Sequence, residues 1–315
     1  MRRRYFAALR TDVAELGLGT WGLSGDAYGA ISPLEADAVI DRAAELGVQL
    51  FDTCDAYALG DVERRLGQRL RDRVSSTFIV TRIGTERMDT DARKRFEPNY
   101  LREAFEKSQQ RIDRERLDVL LLHNPSVASV ERGDAVGVLC ELEQQGRIGA
   151  WGVSAGSREV ALAALEAGAR VLSLTHNVLY SRDLSVVAAE IAMRGVSVLA
   201  HTILAYGLLT CQWAPDRVFD EGDHRRERWS PALLRKRVQQ LDVVRRMVGG
   251  EVLTPRAAAL RYVLSNSLVT CAVLGPRTTA QLAQLLREAG SGPPYLPDKL
   301  LAELPSKLAA SGIHT

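Results

Sequence analysis

The sequence predicts an α/β fold, a (β/α)8 barrel forming one domain over residues 1–315 with extra helices and long loops at its C-terminal face. Three observations predict it. Eight short apolar runs alternate with amphipathic segments of helical period. The runs are rich in Val, Ile and Leu on both faces, as parallel strands covered on all sides require. The first run leads into Gly17-Leu18-Gly19-Thr20-Trp21-Gly22 rather than a GxGxxG helix start, which disfavours the competing doubly wound sheet.

In chain order, the expected strands are 13–18, 49–51, 78–81, 118–122, 149–153, 171–175, 196–200 and 269–274. Between them, residues 33–46 read as a helix, with Ser32 as cap, Pro33 in the first turn and Leu34, Ala38, Ile40 and Ala43-Ala44 near one face. Residues 61–71, 99–112, 131–145, 157–167 and 184–194 repeat that pattern, and Gly47, Gly146, Gly168 and Gly195 sit where helices end. Two stretches depart from the alternation. Residues 201–230 form a long loop, a length typical of lids and binding loops. Residues 231–249 add a helix before the one at 254–266. Ser291-Gly292-Pro293-Pro294 breaks the chain before a short C-terminal helix, and no Ser- or Gly-rich linker divides it into domains.

Composition bounds the function. The chain has 315 residues, 46% hydrophobic and 25% charged, with a net charge of +2. That balance gives no strong pull toward nucleic acid or membrane, and the expected partner is a small molecule. The Arg-rich runs, Arg2-Arg3-Arg4 and Asp223 through Arg228, read first as solvated surface, though the second lies in the long loop. Cys54, Cys140, Cys211 and Cys271 form no CxxC pair, so no metal is expected, and they read as reduced thiols of a cytoplasmic protein. Cys54 is a conceivable nucleophile, but no neighbour in sequence activates it. The basic N-terminus is followed by no signal-peptide core, and no apolar stretch reaches membrane-spanning length.

Polar residues cluster just past the apolar runs: Asp52, Arg82, His123, Ser154, Asn177, His201 and Gly275, with Tyr57 five residues beyond the Asp. In a barrel the C-terminal strand ends converge on one face, where active sites sit. One such residue is unremarkable; seven around a ring predict a site.

Asp52-Thr53-Cys54-Asp55-Ala56-Tyr57, followed by Gly60, Glu63 and Leu66-Gly67, resembles the Asp-Thr-Ala-x-x-Tyr motif of the aldo-keto reductases, in particular their bacterial members. Leu121-Leu122-His123-Asn124-Pro125 is similar to that family's histidine motif, and Gly152-Val153-Ser154 to its Gly-x-Ser-Asn, although Ala155 follows in place of Asn. Ala205-Tyr206-Gly207-Leu208-Leu209-Thr210 resembles the loop over the cofactor diphosphate, and Gly275-Pro276-Arg277-Thr278 the adenosine-phosphate loop. The similarity covers nearly the whole chain.

The resemblance implies NADP(H)-dependent carbonyl reduction. Tyr57 would be the general acid, His123 would orient the carbonyl oxygen, and Asp52 would pair with the cation at position 82. A phenol of pKa about 10 donates poorly at neutral pH unless its anion is stabilised. The family uses a Lys for that; this chain has Arg82. Arginine is longer, planar and forked, so it could clamp Asp52 bidentately and move charge away from the phenol. The implied cofactor residues are Gly19, Thr20 and Trp21 in the first-strand loop, Ser154 and Asn177 at the carboxamide (Asn177 where a Gln is usual), and His201 stacked on nicotinamide. Leu204, Gly207, Leu208 and Gly275 would lie along the cofactor, Arg277 and Thr278 at the 2′-phosphate, and Gln281 at adenine, although Gln284-Leu285 replaces the expected Glu-Asn. Trp21, Tyr28, Tyr180, His224, Arg225 and Trp229 are the candidates for the substrate pocket, with Arg225 or Arg226 able to meet an anionic group. The first reading is therefore reduction of a carbonyl or conjugated carbonyl on a small polar, including sugar-like, metabolite. Two alternatives stay open: redox-neutral chemistry such as epimerisation or dehydration, and a non-catalytic NADP-binding regulatory subunit.

Overall fold

The computed structural model describes residues 1–88 and 91–313. Among the described residues twelve strands run in order: β1 Arg3–Phe6, β2 Thr11–Ala14, β3 Leu16–Gly19, β4 Leu50–Asp52, β5 Phe78–Ile83, β6 Thr85–Met88, β7 Asp91–Lys94, β8 Leu117–His123, β9 Ile148–Ala155, β10 Val171–Thr175, β11 Ser197–His201 and β12 Val269–Leu274. Eight of them, β3, β4, β5, β8, β9, β10, β11 and β12, close into a parallel barrel surrounded by helices. This is the (β/α)8 barrel that the alternation predicts.

Side chains alternate across each strand. Leu50, Val80, Val119, Leu121, Ala150, Val171, Leu199, Cys271 and Val273 form one buried cluster, the barrel interior. Phe51, Ile79, Leu120, Leu122, Val153, Leu172, Val198 and Ala272 point outward into a second cluster shared with the helices. A third cluster lies beneath the long loop and the C-terminal helix Asp298–Ala310, around Trp213, Phe219, Trp229 and Leu234.

The expected first strand, 13–18, is two strands. Val13 and Ala14 belong to β2, which pairs antiparallel with β1 as a hairpin. Phe6, Ala8 and Val13 of this hairpin join the interior cluster and plug the barrel from its N-terminal end. The break falls at Glu15, a buried carboxylate that accepts from Arg4 Nε at 3.0 Å and Tyr295 Oη at 2.5 Å. The helix expected at 131–145 begins late, at Asp134, after Gly133 at φ 81°, and a separate short helix Val127–Glu131 precedes it. Two other expected helices are each broken in two. Val187 separates Arg182–Val186 from Ala188–Arg194, and Leu241 separates Pro231–Gln240 from Asp242–Arg245. The hairpin β6–β7 lies where no strand is expected. Among the described residues no helix is long and apolar enough to cross a membrane.

Candidate active site

The strand register explains why polar residues converge at one barrel mouth. Each continues the inward face of its strand by two residues: Leu50 to Asp52, Val80 to Arg82, Leu121 to His123, Leu199 to His201. They are the final residues of the strands, or nearly so, rather than residues just beyond them. Together with Tyr57 they line one cavity of about 880 Å³.

Arg82 and Asp52 form a buried forked pair at the floor. Nη1 and Nη2 reach the two carboxylate oxygens at 2.6 and 2.7 Å. The same nitrogens donate to the Thr53 carbonyl at 2.9 Å and, across the barrel, to Ser173 Oγ at 3.0 Å. Among the described residues, none of these bonds goes to the Tyr57 phenol. Burial raises the Asp52 pKa against the lowering pull of Arg82, and, against burial, the Asp52 carboxylate in turn raises that of Arg82; the forked contact has the geometry of a charge-assisted pair.

Burial pushes the Tyr57 phenol up, against the lowering pull of Arg82. The phenol is therefore protonated, and its ring lies 6.5 Å from Trp21 in a stacked arrangement. Tyr57 is placed by a turn in which Ala58 and Leu59 adopt left-handed backbone, at φ 47° and 54°. Ala58 N–H there donates to Asp26.

His123 is neutral: burial first, then the Lys94 and Arg82 charges, hold its imidazole well below the ordinary range. Its Nδ1 contacts Thr85 Oγ1 at 3.0 Å and Cys54 Sγ at 3.1 Å. Cys54, which has no activating neighbour in sequence, thus meets an imidazole in space. Burial and then Asp55 push its thiol well up, so it is no thiolate nucleophile. Burial, followed by Arg82, brings His201 down to about 3.

Other candidates fall unevenly. Gly19, Trp21, Ser154, Leu204, Gly207, Gly275, Arg277 and Gln281 line the cavity, as do Tyr28 and Arg225. Asn177 does not: it is fully buried, its amide donates to the Thr202 carbonyl, and its Oδ1 accepts from Leu179 and Tyr180 N–H. Those bonds close a turn, and the side chain does not reach the cavity. Thr20 is likewise inward, its hydroxyl on the Asp52 carbonyl, and Leu208 is core. Thr278 caps the helix Thr279–Glu288, accepting from Gln281 N–H. Trp229 packs against Trp213 in the core, and Tyr180 is on the surface beneath Arg237. His224 packs 4.5 Å from Trp21, outside the lining. The sequence reading missed Asp26, Arg87, Arg217, Arg228 and Arg256, all of which line the cavity. Arg228 is held over Tyr206, and Arg217 over Trp213 and Phe219. Only Arg228 lies in the Arg-rich run and Arg217 in the long loop around it; nothing local marked Asp26, Arg87 or Arg256.

The cavity has room and charge for a dinucleotide. A Cβ on Gly275 would meet nothing within 4 Å. The N-terminus of the helix Thr279–Glu288 stands beside Arg277, an arrangement suited to a phosphate. Arg277 Nε is buried without a partner, while its Nη groups donate to the carbonyls of Tyr28, Gly29 and Ala30.

One barrel mouth thus gathers an acid, a cation and an imidazole from strand ends and a phenol from a neighbouring turn. A profile of the Aldo/keto reductase family matches residues 15–290, and the chain belongs to that family. It is 27% identical to D-threo-aldose 1-dehydrogenase of a Pseudomonas species, across 88% of this chain and 90% of that one. Similarity to the uncharacterized oxidoreductase YqkF of Bacillus subtilis, at 28% identity, spans 49% of each chain. The solved structure of the glycerol dehydrogenase AKR11B4 from Gluconobacter oxydans shares the fold, with a TM-score of 0.86 at 22% identity over 99% of this chain and 97% of that one.

Proposed function

We propose that this chain is an NADP(H)-dependent reductase of carbonyls or conjugated carbonyls on small polar, including sugar-like, metabolites. The observation that carries the reading is the meeting of a protonated Tyr57 and a neutral His123 on one cavity, above the forked Asp52–Arg82 pair. Bound NADPH would supply a hydride to the carbonyl carbon. The carbonyl oxygen would lie between the Tyr57 hydroxyl and the His123 imidazole. As charge develops there, Tyr57 passes its proton to the oxygen, and Arg82 stabilises the phenolate left behind. Ser154, Gly207, Gly275, Arg277 and Gln281 would hold the cofactor, with Arg277 and the helix N-terminus suited to a 2′-phosphate. To meet it, Arg277 would exchange its bonds to the carbonyls of residues 28–30. Support for sugar-like substrates comes from the name of the Pseudomonas relative.

Tyr57→Phe tests this reading. Turnover of NADPH with an aldehyde should vanish, while NADPH affinity, read by fluorescence titration, stays within about twofold, since only one hydroxyl is removed. Retained turnover would remove Tyr57 from the role of acid.

A second reading has its own observation: the Arg82 hydrogen bonds go to Asp52, Thr53 and Ser173, which leaves the phenol a weaker acid. Redox-neutral chemistry, such as epimerisation or dehydration with Tyr57 and His123 as proton carriers, would suit that. Product formation without stoichiometric loss of NADPH absorbance would favour it over net reduction.

A further inference from the structure

We propose that Thr85 and Lys94 are positioning residues that hold the His123 ring in one tautomer, with the proton on Nε2 toward the substrate oxygen and the lone pair on Nδ1. The inference rests on the carbonyl-reduction reading for its functional consequence, but its geometry is independent of it.

The hairpin β6–β7 brings the two residues together. Thr85 and Lys94 are directly opposed in its register, at the end nearest the barrel. Lys94 Nζ donates to Thr85 Oγ1 at 2.6 Å and to the His123 carbonyl at 2.8 Å. Thr85 Oγ1 in turn lies 3.0 Å from His123 Nδ1. An ammonium group has three donors and no acceptor, so the polarity of the first bond is fixed. With a lone pair of the hydroxyl used by Lys94, its hydrogen is free to point at Nδ1. The bonds then run Lys94 to Thr85 to His123 with Nδ1 as acceptor; the second lone pair of the hydroxyl leaves room for the reverse bond, so the Lys94 charge is what selects between them.

Electrostatics favours the same tautomer. A cation two hydrogen bonds away on the Nδ1 side attracts a lone pair there and repels an N–H. Cys54 does not oppose this. Its thiol remains protonated, 3.1 Å from Nδ1 and 3.3 Å from Asp55, so it also can donate to either. The competing arrangement has Nδ1–H donating to Cys54 Sγ while the thiol hydrogen goes to Asp55. It would place a bare Nε2 against a carbonyl oxygen, acceptor against acceptor. The Lys94–Thr85 contact selects against it. Arg82 and His201 also face the ring, and the Arg82 charge disfavours the doubly protonated imidazolium. The ring that reaches the cavity is thus a neutral donor, which can hold a carbonyl oxygen without competing with Tyr57 to protonate it.

The test uses the full chain labelled with ¹⁵N-histidine. Long-range ¹⁵N–¹H spectra at pH 7 read the tautomer of each of the five histidines, and the signals absent in His123→Asn identify this one. The expected result is Nε2–H for His123 in the wild type, and a shift toward Nδ1–H in Thr85→Val and Lys94→Met. Thr85→Ser, which keeps the hydroxyl, should restore Nε2–H. In parallel, with NADPH and glyceraldehyde as probes, Thr85→Val should lower kcat on the order of 10²-fold, the cost of one lost donor to the reacting oxygen. NADPH affinity should be unchanged, and Thr85→Ser should recover the rate. An Nδ1–H signal in the wild type, or an unaltered Nε2–H in both Thr85→Val and Lys94→Met, overturns the proposal. If the tautomer behaves as expected but no carbonyl is reduced, the relay stands and the carbonyl-reduction reading falls.

Discussion

Arg82 is placed to lower the cost of a Tyr57 anion, yet its forked contact with Asp52 spreads its charge toward the carboxylate. A lysine there, the residue that the family resemblance leads one to expect, would be a point charge with a rotatable head. It could meet Asp52 and the phenol together. Arg82→Lys should therefore raise kcat for a generic aldehyde by about tenfold or more, measured as NADPH oxidation at saturating cofactor; a fall would show that the guanidinium suits the reaction better. Beside the site, burial and then the neighbouring Glu63 push Asp55 up to about 7. In the unfolded chain this carboxyl titrates near 4. A folded-state pKa above the unfolded one contributes stability that is full below about pH 4 and is lost as pH rises through about 7. Asp55→Asn, which cannot ionise, should lose that dependence and exceed the wild type by roughly 2–4 kcal/mol above pH 8. Urea unfolding at pH 5 and pH 8.5 measures the difference, and parallel curves for the two proteins would argue against a buried neutral carboxyl.

At the scale of elements, close backbone approach explains several motif residues that carry no chemistry. Gly152, in the motif before Ser154, lies so near β10 that a Cβ would stand 1.9 Å from the Val171 carbonyl oxygen. Gly152→Ala must push β9 and β10 apart. A loss of about 3 kcal/mol is expected, with a lower urea midpoint and weaker cofactor binding through displaced Ser154. An unchanged midpoint would mean that the strands yield freely. Gly67 is alike, with the Ile112 carbonyl 2.5 Å from its missing Cβ. Glu63 belongs to the same motif but is a structural ion: fully buried, it accepts from Thr81 at 2.5 Å and from Arg111 at 2.7 Å, outside the barrel wall. Asp52, Arg82 and His123 were legible because period-two alternation carries them to the inner face. Tyr57 was legible only through its motif, since a turn with left-handed residues positions it. Asn177 follows a strand just as they do, yet its side chain closes a turn. Thr85 and Lys94 were not legible at all. Their hairpin, Thr-Glu-Arg-Met against Asp-Ala-Arg-Lys, is polar on both faces and gives no strand signal.

For the whole molecule, the two ends of the chain are tied together below the barrel. Arg4 donates to the carbonyls of Leu264, Asn266 and Val269 and to Glu15, which also accepts from Tyr295 near the C-terminus. Arg4→Met leaves the buried Glu15 without its cation and three carbonyls short of a donor. It should cost about 3–5 kcal/mol, read as a lower urea midpoint with an unchanged slope, whereas a change below 1 kcal/mol would show the hairpin to be a dispensable plug. Above the barrel, the loop at 21–30 meets the long loop: Tyr28 bridges Asp223, and His224 N–H donates to the Ala27 carbonyl at 2.9 Å. Arg277 adds three bonds from the other side. These loops roof the mouth of the cavity.

The barrel was legible in the chain alone, because strand and helix periods are local properties that survive any packing detail. So was the inward facing of Asp52, Arg82 and His123, because alternation by two is a rule of the backbone, whereas the turn-closing role of Asn177 was not. Only the tertiary structure decided where Arg82 spends its hydrogen bonds, that Cys54 and Thr85 share one nitrogen of His123, and that Trp229 is core rather than pocket. Those outcomes depend on distances between residues far apart in the chain, and nothing in local propensity or spacing carries that information.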